Sequence, residues 1–219
     1  TAGASSAVTT GSVRVVPSLA NVTPAGSLFF SFRRNGIRIT ESAVSLQQPS
    51  ASHRLYAEAL GDLNSGEAGA VLSGVVLANP FNARVTVRLE LINTNGASVA
   101  ASVISVPANA QQTLLLNRIP GFEMLRVPFK GLLRVEGSAL LAVTGFRARY
   151  NERGDFLIAT TPSVAETGAS SEAELFFHFA DAGGYTTQFV LFSAGGTSAV
   201  SGNLRFYSQA GVAMSLKIK

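Results

Sequence analysis

Cysteine and tryptophan are both missing from the 219 residues, and histidine occurs only twice. The first absence excludes disulfide staples, thiolate metal sites and cysteine nucleophiles. The second, with only four tyrosines (Tyr56, Tyr150, Tyr185, Tyr207), leaves little material for an aromatic platform on which sugars stack. Charge is scarce as well. Charged residues make up 14% of the chain, against roughly 25% in an average soluble domain. Such a surface must be covered by Ser, Thr, Asn, Gln, Gly and Ala, or by neighbouring subunits.

Long apolar runs are also wanting. A membrane-spanning helix needs about 18 or more apolar residues, and the longest candidate, Leu132 to Phe146, is interrupted by Arg134, Glu136 and Gly137. The chain is therefore not expected to span a membrane. Its N-terminal Thr1-Ala2-Gly3-Ala4-Ser5-Ser6-Ala7 reads as a polar mature terminus left after a leader was removed, which suggests a secreted or cell-surface protein.

The net charge is +4 and the isoelectric point near 9.9. A nucleic-acid binder clusters its basic residues and interleaves aromatics with them. Here most arginines stand singly along strands, which suits solvated strand faces and protected edges. Only Arg33-Arg34 and the group Arg147, Arg149, Arg153 are dense, each beside an expected hairpin turn. No nucleic-acid partner is expected; weak attraction to surface glycans or another anionic surface is compatible with the charge.

What the chain does contain is β-forming sequence, with hydrophobic residues at 47%. Val85, Val87, Leu89 and Leu91 fall on one face of a period-two pattern, with Thr86, Arg88 and Glu90 on the other. Asn95-Gly96 then supplies a tight hairpin turn before a strand from Ser98 to Val106. The same grammar recurs at Leu28–Arg34, Asn35-Gly36 and Ile37–Leu46. It recurs again at Ala142–Tyr150, Gly154 and Asp155–Thr161, and at Asn203–Ser208, Gly211 and Val212–Ile218. Gln111 to Ile119 could form one or two helical turns before Pro120-Gly121. Short strands with turn signals at this spacing predict an all-β sandwich fold.

An internal repeat organises these strands. Val76-Leu77 with Leu89 to Gly96 matches Val190-Leu191 with Leu204 to Gly211, giving a first half-module. Gly11 to Val15 matches Gly131 to Val135, and the following turn glycines, Gly36 and Gly154, correspond, giving a second half-module. The order along the chain is second, first, second, first. Residues 58–164 then form one complete Ig-like β-sandwich module. Residues 1–57 and 165–219 are the second and first halves of another, split between the chain's ends. A half-module of about 55 residues leaves one apolar face of its sheet uncovered. The halves can close on each other within a chain, as a circular permutant. They can close between chains, or belong to a longer array. Closure between chains is head to tail and propagates into a filament unless it forms a ring.

Gly74-Val75-Val76-Leu77-Ala78-Asn79-Pro80 with Val85 to Leu89, and Phe177-His178-Phe179-Ala180-Asp181-Ala182-Gly183-Gly184-Tyr185-Thr186-Thr187-Gln188, resemble tandem β-sandwich (Ig-like) repeat modules of bacterial secreted and surface proteins. Phe129 to Val135, Gly154-Asp155-Phe156 and Thr160-Thr161-Pro162 resemble the second half of the same modules. The resemblance runs from Gly11 onward and implies fold and an extracellular setting, with no reaction. Phe192-Ser193-Ala194 stands where the pattern has an Asn-Pro pair.

Catalytic chemistry is poorly supplied. His53 and His178 lie in different halves, with no Gly-x-Ser-x-Gly elbow beside either. Glu152 with Asp155, and Glu172 with Glu174, sit in turn or linker sequence. Asp181 beside Gly183-Gly184 offers one carboxylate where calcium requires several oxygens. No catalytic residue, cofactor or metal is expected. The residues expected to matter are those of a self-assembly interface: Val13, Val15, Phe30, Phe32, Phe177, Phe179, Leu204, Phe206, Leu216 and Ile218. They lie on the terminal strands Ser12–Val16 and Leu204–Ile218 and the Phe-rich strands Leu28–Phe32 and Leu175–Phe179. The expected function is an extracellular structural protein that assembles head to tail into a filament or array. The alternative is a monomeric adhesion or carbohydrate-binding module.

Overall fold

Strict alternation of apolar and polar residues gives a strand one buried and one wet face, and most of this chain is written that way. The computed structural model describes residues 8–18, 21–46, 48–166, 174–176, 178–194 and 200–216. It falls into two units, Thr1–Thr167 and Gly168–Lys219. The fold is all-β, every strand pairing is antiparallel, and the described residues contain no α-helix.

The first unit opens with a hairpin of β1 (Ser27–Arg34) and β2 (Ile37–Ser45). The strands β3 (Ser50–Leu60), β4 (Val71–Ala78), β5 (Val85–Asn93), β6 (Ser98–Val106), β7 (Gln111–Leu115), β8 (Phe129–Tyr150), β9 (Phe156–Thr161) and β10 (Val164–Ala165) follow. The 22-residue β8 organises them. Its first part pairs with β3 on one side (Leu55↔Leu133) and β5 on the other (Leu89↔Val135). Its last part pairs with β4 (Val75↔Gly145) and β9 (Ala148↔Ile158). One strand thus serves two curled arms, β10-β3-β8-β5-β6 and β9-β8-β4-β7, an arrangement compatible with a β-sandwich. The change of partners falls around Gly137, where a Cβ would lie 2.5 Å from the carbonyl oxygen of Ala139, so only glycine fits the bend.

Both arms turn apolar faces into one core. Leu55 and Ala57 of β3, Val85, Val87, Leu89 and Leu91 of β5, and Leu133 and Val135 of β8 come from the first arm. Val75 and Leu77 of β4 meet them with Leu141 and Val143 of β8. Phe122, in the loop before β8, closes one end. Gln111–Ile119, expected as a helical turn, is instead β7 followed by a single 3-10 turn at Leu116–Arg118. The ladder with β4, Gly74↔Leu115 to Ala78↔Gln111, satisfies this backbone better than an isolated turn of helix.

The outer face of the first arm carries a charge ladder. Arg54 and Arg134 stand directly opposite each other on β3 and β8, an unfavourable like-charge pairing. Glu166, following β10, resolves it: its carboxylate accepts from Arg54 Nε at 2.5 Å and from Arg134 Nε and Nη2 at 2.8 and 2.9 Å. The Glu166 backbone N–H donates to Ser52 O at 2.9 Å, so the chain is fastened to β3 before it leaves the unit.

The second unit is less regular. Among its described residues only β11 (Phe206–Tyr207) and β12 (Ala213–Met214) pair as a hairpin, with a further bridge at Ala182↔Tyr185. Phe176, Phe189, Phe206 and Phe179 form an edge-to-face chain with centroids 5.6 to 5.7 Å apart. The described residues of the strand expected at Leu175–Phe179 are not in strand, and Ser12–Val16 in the first unit is not either. An apolar run becomes a strand only when a neighbour completes its hydrogen-bond ladder, and here none does. Within the hairpin expected at Asn203–Ile218, pairing is confined to β11 and β12.

Candidate assembly site

The β1–β2 hairpin is the part of the first unit whose sequence and environment disagree. Its β1 strand, Ser-Leu-Phe-Phe-Ser-Phe-Arg-Arg, reads as core, yet every residue of it is exposed. Leu28, Phe29, Phe30 and Phe32 are 46, 67, 37 and 46% exposed. The buried phenylalanines of the core are Phe122 and Phe129. Nothing in the described residues pairs with the free edge of β1.

The hairpin is nevertheless held in a definite place. Thr40 Oγ1 donates to Ile158 O at 3.1 Å and accepts from Ile158 N at 3.3 Å. Ser42 Oγ accepts from Thr160 N at 2.8 Å and lies 3.1 Å from Thr160 Oγ1, which also bonds to Ala43 O. Side-chain hydroxyls thus bridge β2 to the edge of β9, with the two strands running in the same direction. The paired positions, 40 with 158 and 42 with 160, have the same offset of 118 as the turn glycines Gly36 and Gly154. The two strands therefore lie side by side at the offset that relates the two turn glycines. Across the hairpins, Phe30↔Ser42 corresponds to Phe146↔Thr160.

The comparison exposes what β1 lacks. In the β8–β9 hairpin, β4 covers the edge of β8, with Gly74 opposite Phe146 and Val76 opposite Thr144. The Phe146 ring lies so close over Gly74 that a Cβ there would sit 2.2 Å from it. By the repeat, the segments that would stand against β1 as β4 stands against β8 are in the second unit, around Gln188 to Val190.

The second unit carries a matching local signature. In the β5–β6 turn, Gly96 N donates to Asn93 O at 3.0 Å and Asn93 N to Ala97 O at 2.9 Å, while Ala97 N donates to the Asn93 side chain at 3.0 Å. At the aligned positions Gly211 N donates to Ser208 O at 2.9 Å, Ser208 N to Val212 O at 2.8 Å, and Val212 N to Ser208 Oγ at 3.1 Å. The two glycines have φ of 80° and 79°. Such φ values suit glycine and disfavour any residue with a Cβ. The likeness ends at the other loop. Asn79 donates to Ala83 O, Val106 O and Pro107 O and accepts from Phe81 N, tying the β4–β5 loop to the end of β6. Ser193, in its place, has a side chain too short to span such a loop.

The remaining interface residues fall as follows. Val13 and Val15 are 77 and 43% exposed, outside any strand. Phe179 and Phe206 are half-buried against each other, and Leu204 and Leu216 are half-buried outside any strand. Phe177 and Ile218 lie outside the described residues. Within the first unit Phe30 and Phe32 lie on the one strand β1, and within the second Phe179 packs on Phe206.

The titratable residues weighed for chemistry have structural surroundings. His53 is buried in β3, its Nε2 3.0 Å from Leu141 O and its Nδ1 3.3 Å from Ser163 Oγ, which itself donates to Val143 O. Burial pushes the His53 imidazole below its ordinary value, against the opposing pull of its backbone bond to Leu141. Asp155 is shared by Arg34 and Arg153 at 3.3 and 3.4 Å. His178 is exposed. Asp181 precedes a tight turn at Ala182–Tyr185, and among the described residues no group of three His, Cys, Asp or Glu could hold a metal. No helix among them is long and apolar enough to cross a membrane.

No family model matches the chain, and no curated protein does. One solved crystal structure, that of Thermotoga maritima 1070, is similar over 52% of this chain and 92% of its own, at 8% identity and a TM-score of 0.41. A likeness that slight carries no argument about what this chain does.

Proposed function

We propose that the chain is an extracellular structural protein, built of two related Ig-like modules, that assembles head to tail by completing a split module between neighbours. The observation that carries this reading is the β1–β2 hairpin: a Phe-rich strand whose hairpin is docked through β2 on β9 of the central module, with its apolar side chains and its outer edge exposed. The completing half would come from the second unit, whose β11–β12 turn repeats the hydrogen bonds of the β5–β6 turn. That unit also keeps Leu175, Phe176 and Leu191 at 75, 55 and 63% exposure. Two incomplete, exposed apolar surfaces on one chain each gain by covering the other, and a second copy meets both needs at once. The extracellular setting rests on the resemblance and the low charge, which limits repulsion between packed subunits.

Negative-stain electron microscopy of the intact chain at micromolar concentration tests this directly. Regular filaments of bead-like subunits are expected, and removal of residues 214–219 should abolish them while leaving the central module folded. Discrete particles from the intact chain, or filaments that persist after the deletion, would refute the mechanism.

A further inference from the structure

The two dense basic groups of the sequence, Arg33-Arg34 and Arg147, Arg149, Arg153, are more than 110 residues apart, yet the parallel docking of β2 on β9 carries both hairpin tips to the same end of the unit. The meeting point is Asp155, whose carboxylate lies 3.3 Å from Arg34 Nη1 of one tip and 3.4 Å from Arg153 Nε of the other. Beside the tips, Ile39, Thr40, Glu41, Arg147, Arg149 and Leu157 line an open depression of about 430 Å³. Six arginines, the five already named and Arg38, gather here against four carboxylates, Glu41, Glu58, Glu152 and Asp155, a local excess of two positive charges. Arg33 bonds only to Gly36 O at 3.4 Å, and no carboxylate among the described residues pairs with it. The side chains of Arg34, Arg38, Arg147, Arg149 and Arg153 are 40 to 84% exposed. Ion pairs that exposed contribute little and re-partner at small cost, whereas a planar guanidinium offers a fork that matches a carboxylate or sulfate on a ligand.

The geometry points to this paired-tip surface as a docking site for an acidic polysaccharide. The depression is lined by the aliphatic side chains of Ile39, Leu157 and Ile158 together with two guanidinium groups, the Thr40 hydroxyl and the Glu41 carboxylate. None of the residues lining the depression is aromatic, so it offers no ring on which a base could stack. That favours a chain of charged sugars over a nucleic acid, which draws on aromatic stacking. The site needs one copy of the protein, so it stands whether or not the split module closes between chains.

Binding of the full chain to alginate, a polyuronate, measured by affinity electrophoresis at low ionic strength, tests the proposal. Retardation that is lost on raising the salt is expected, because counterions screen such contacts. Neutral dextran should give none. The pair Arg149→Glu and Arg153→Glu should weaken binding at least tenfold, and Arg149→Gln with Arg153→Gln less so. Arg84→Glu, at the exposed residue just before β5 and hydrogen-bonded to Ser105, should change it less than twofold. The proposal is overturned by an absence of alginate retardation, by an Arg84→Glu loss as large as that of the double variant, or by oligo(dT) binding as tight as alginate.

Discussion

His53 holds its place through an Nε2–H donated to Leu141 O, with Nδ1 3.3 Å from Ser163 Oγ. Burial lowers its affinity for a proton in the folded chain, whereas the unfolded chain takes one up near 6.5. Between the folded value and about 6.5 the unfolded state binds more protons, so stability rises with pH across that window and is lost as pH falls through it. Urea denaturation should show the midpoint dropping from about pH 7 downward, and His53→Gln should flatten that drop. A midpoint independent of pH in the unsubstituted chain would contradict this role. Glu166 acts lower on the scale. Burial pushes its carboxyl up, but the hydrogen bonds and charges of Arg134 and Arg54 outweigh this and hold it below its ordinary 4.5. Its contribution is present above that value and is lost as pH falls through its folded value. Reciprocally, the Glu166 hydrogen bond raises the affinity of Arg134 for its proton. Glu166→Gln leaves two partly buried guanidinium groups facing each other, and a loss of about 2–3 kcal/mol is expected from denaturation at pH 7. A loss under about 0.5 kcal/mol, the scale of an ordinary surface substitution, would show that the carboxylate is not what reconciles the pair.

Elements whose pairing is written into their own residues were legible in the sequence. The alternation of Val85 to Leu91 and the Asn95-Gly96 turn define β5 and β6, and Asn35-Gly36 defines the β1–β2 hairpin. Elements that depend on a distant partner were not. β8 reads as separate pieces, because Gly137-Ser138 looks like a break in sequence and proves to be a bend within one strand. Gln111–Leu115 has no alternation of its own and becomes a strand only through β4. At the candidate site, the apolar character of β1 was legible, and its exposure was not, since burial is decided by what lies opposite. The in-register contact of β2 with β9 rests on two hydroxyls, Thr40 and Ser42, in a chain with many; the offset of Gly36 and Gly154 was the signal that could have found it. Because Phe30 and Phe32 keep 37 and 46% of their surface exposed, Phe30→Ser with Phe32→Ser should lower the unfolding free energy of the first unit by about 1–2 kcal/mol, well short of the loss from two core rings. The same pair should abolish assembly measured by analytical ultracentrifugation. A large loss of stability without loss of assembly would reverse the assignment of this strand.

The whole molecule combines a closed core, a docked hairpin with an exposed apolar strand, and a second unit with few ladders among its described residues. In a completed split module the repeat would set Val190 against Leu28, as Val76 stands opposite Thr144. Paired strand positions bring Cα atoms to about 4.5–5.5 Å, within reach of a disulfide. The chain has no cysteine, so Leu28→Cys with Val190→Cys would introduce its only two thiols. The central measurement is oxidation of that double variant at micromolar concentration, followed by denaturing, non-reducing electrophoresis. A ladder of covalent multimers, absent from either single variant except as dimer, is the result predicted by completion between chains. A monomer cross-linked to itself would place the halves within one chain, and two free thiols would mean that the second unit does not complete β1 at all; either result contradicts the assembly.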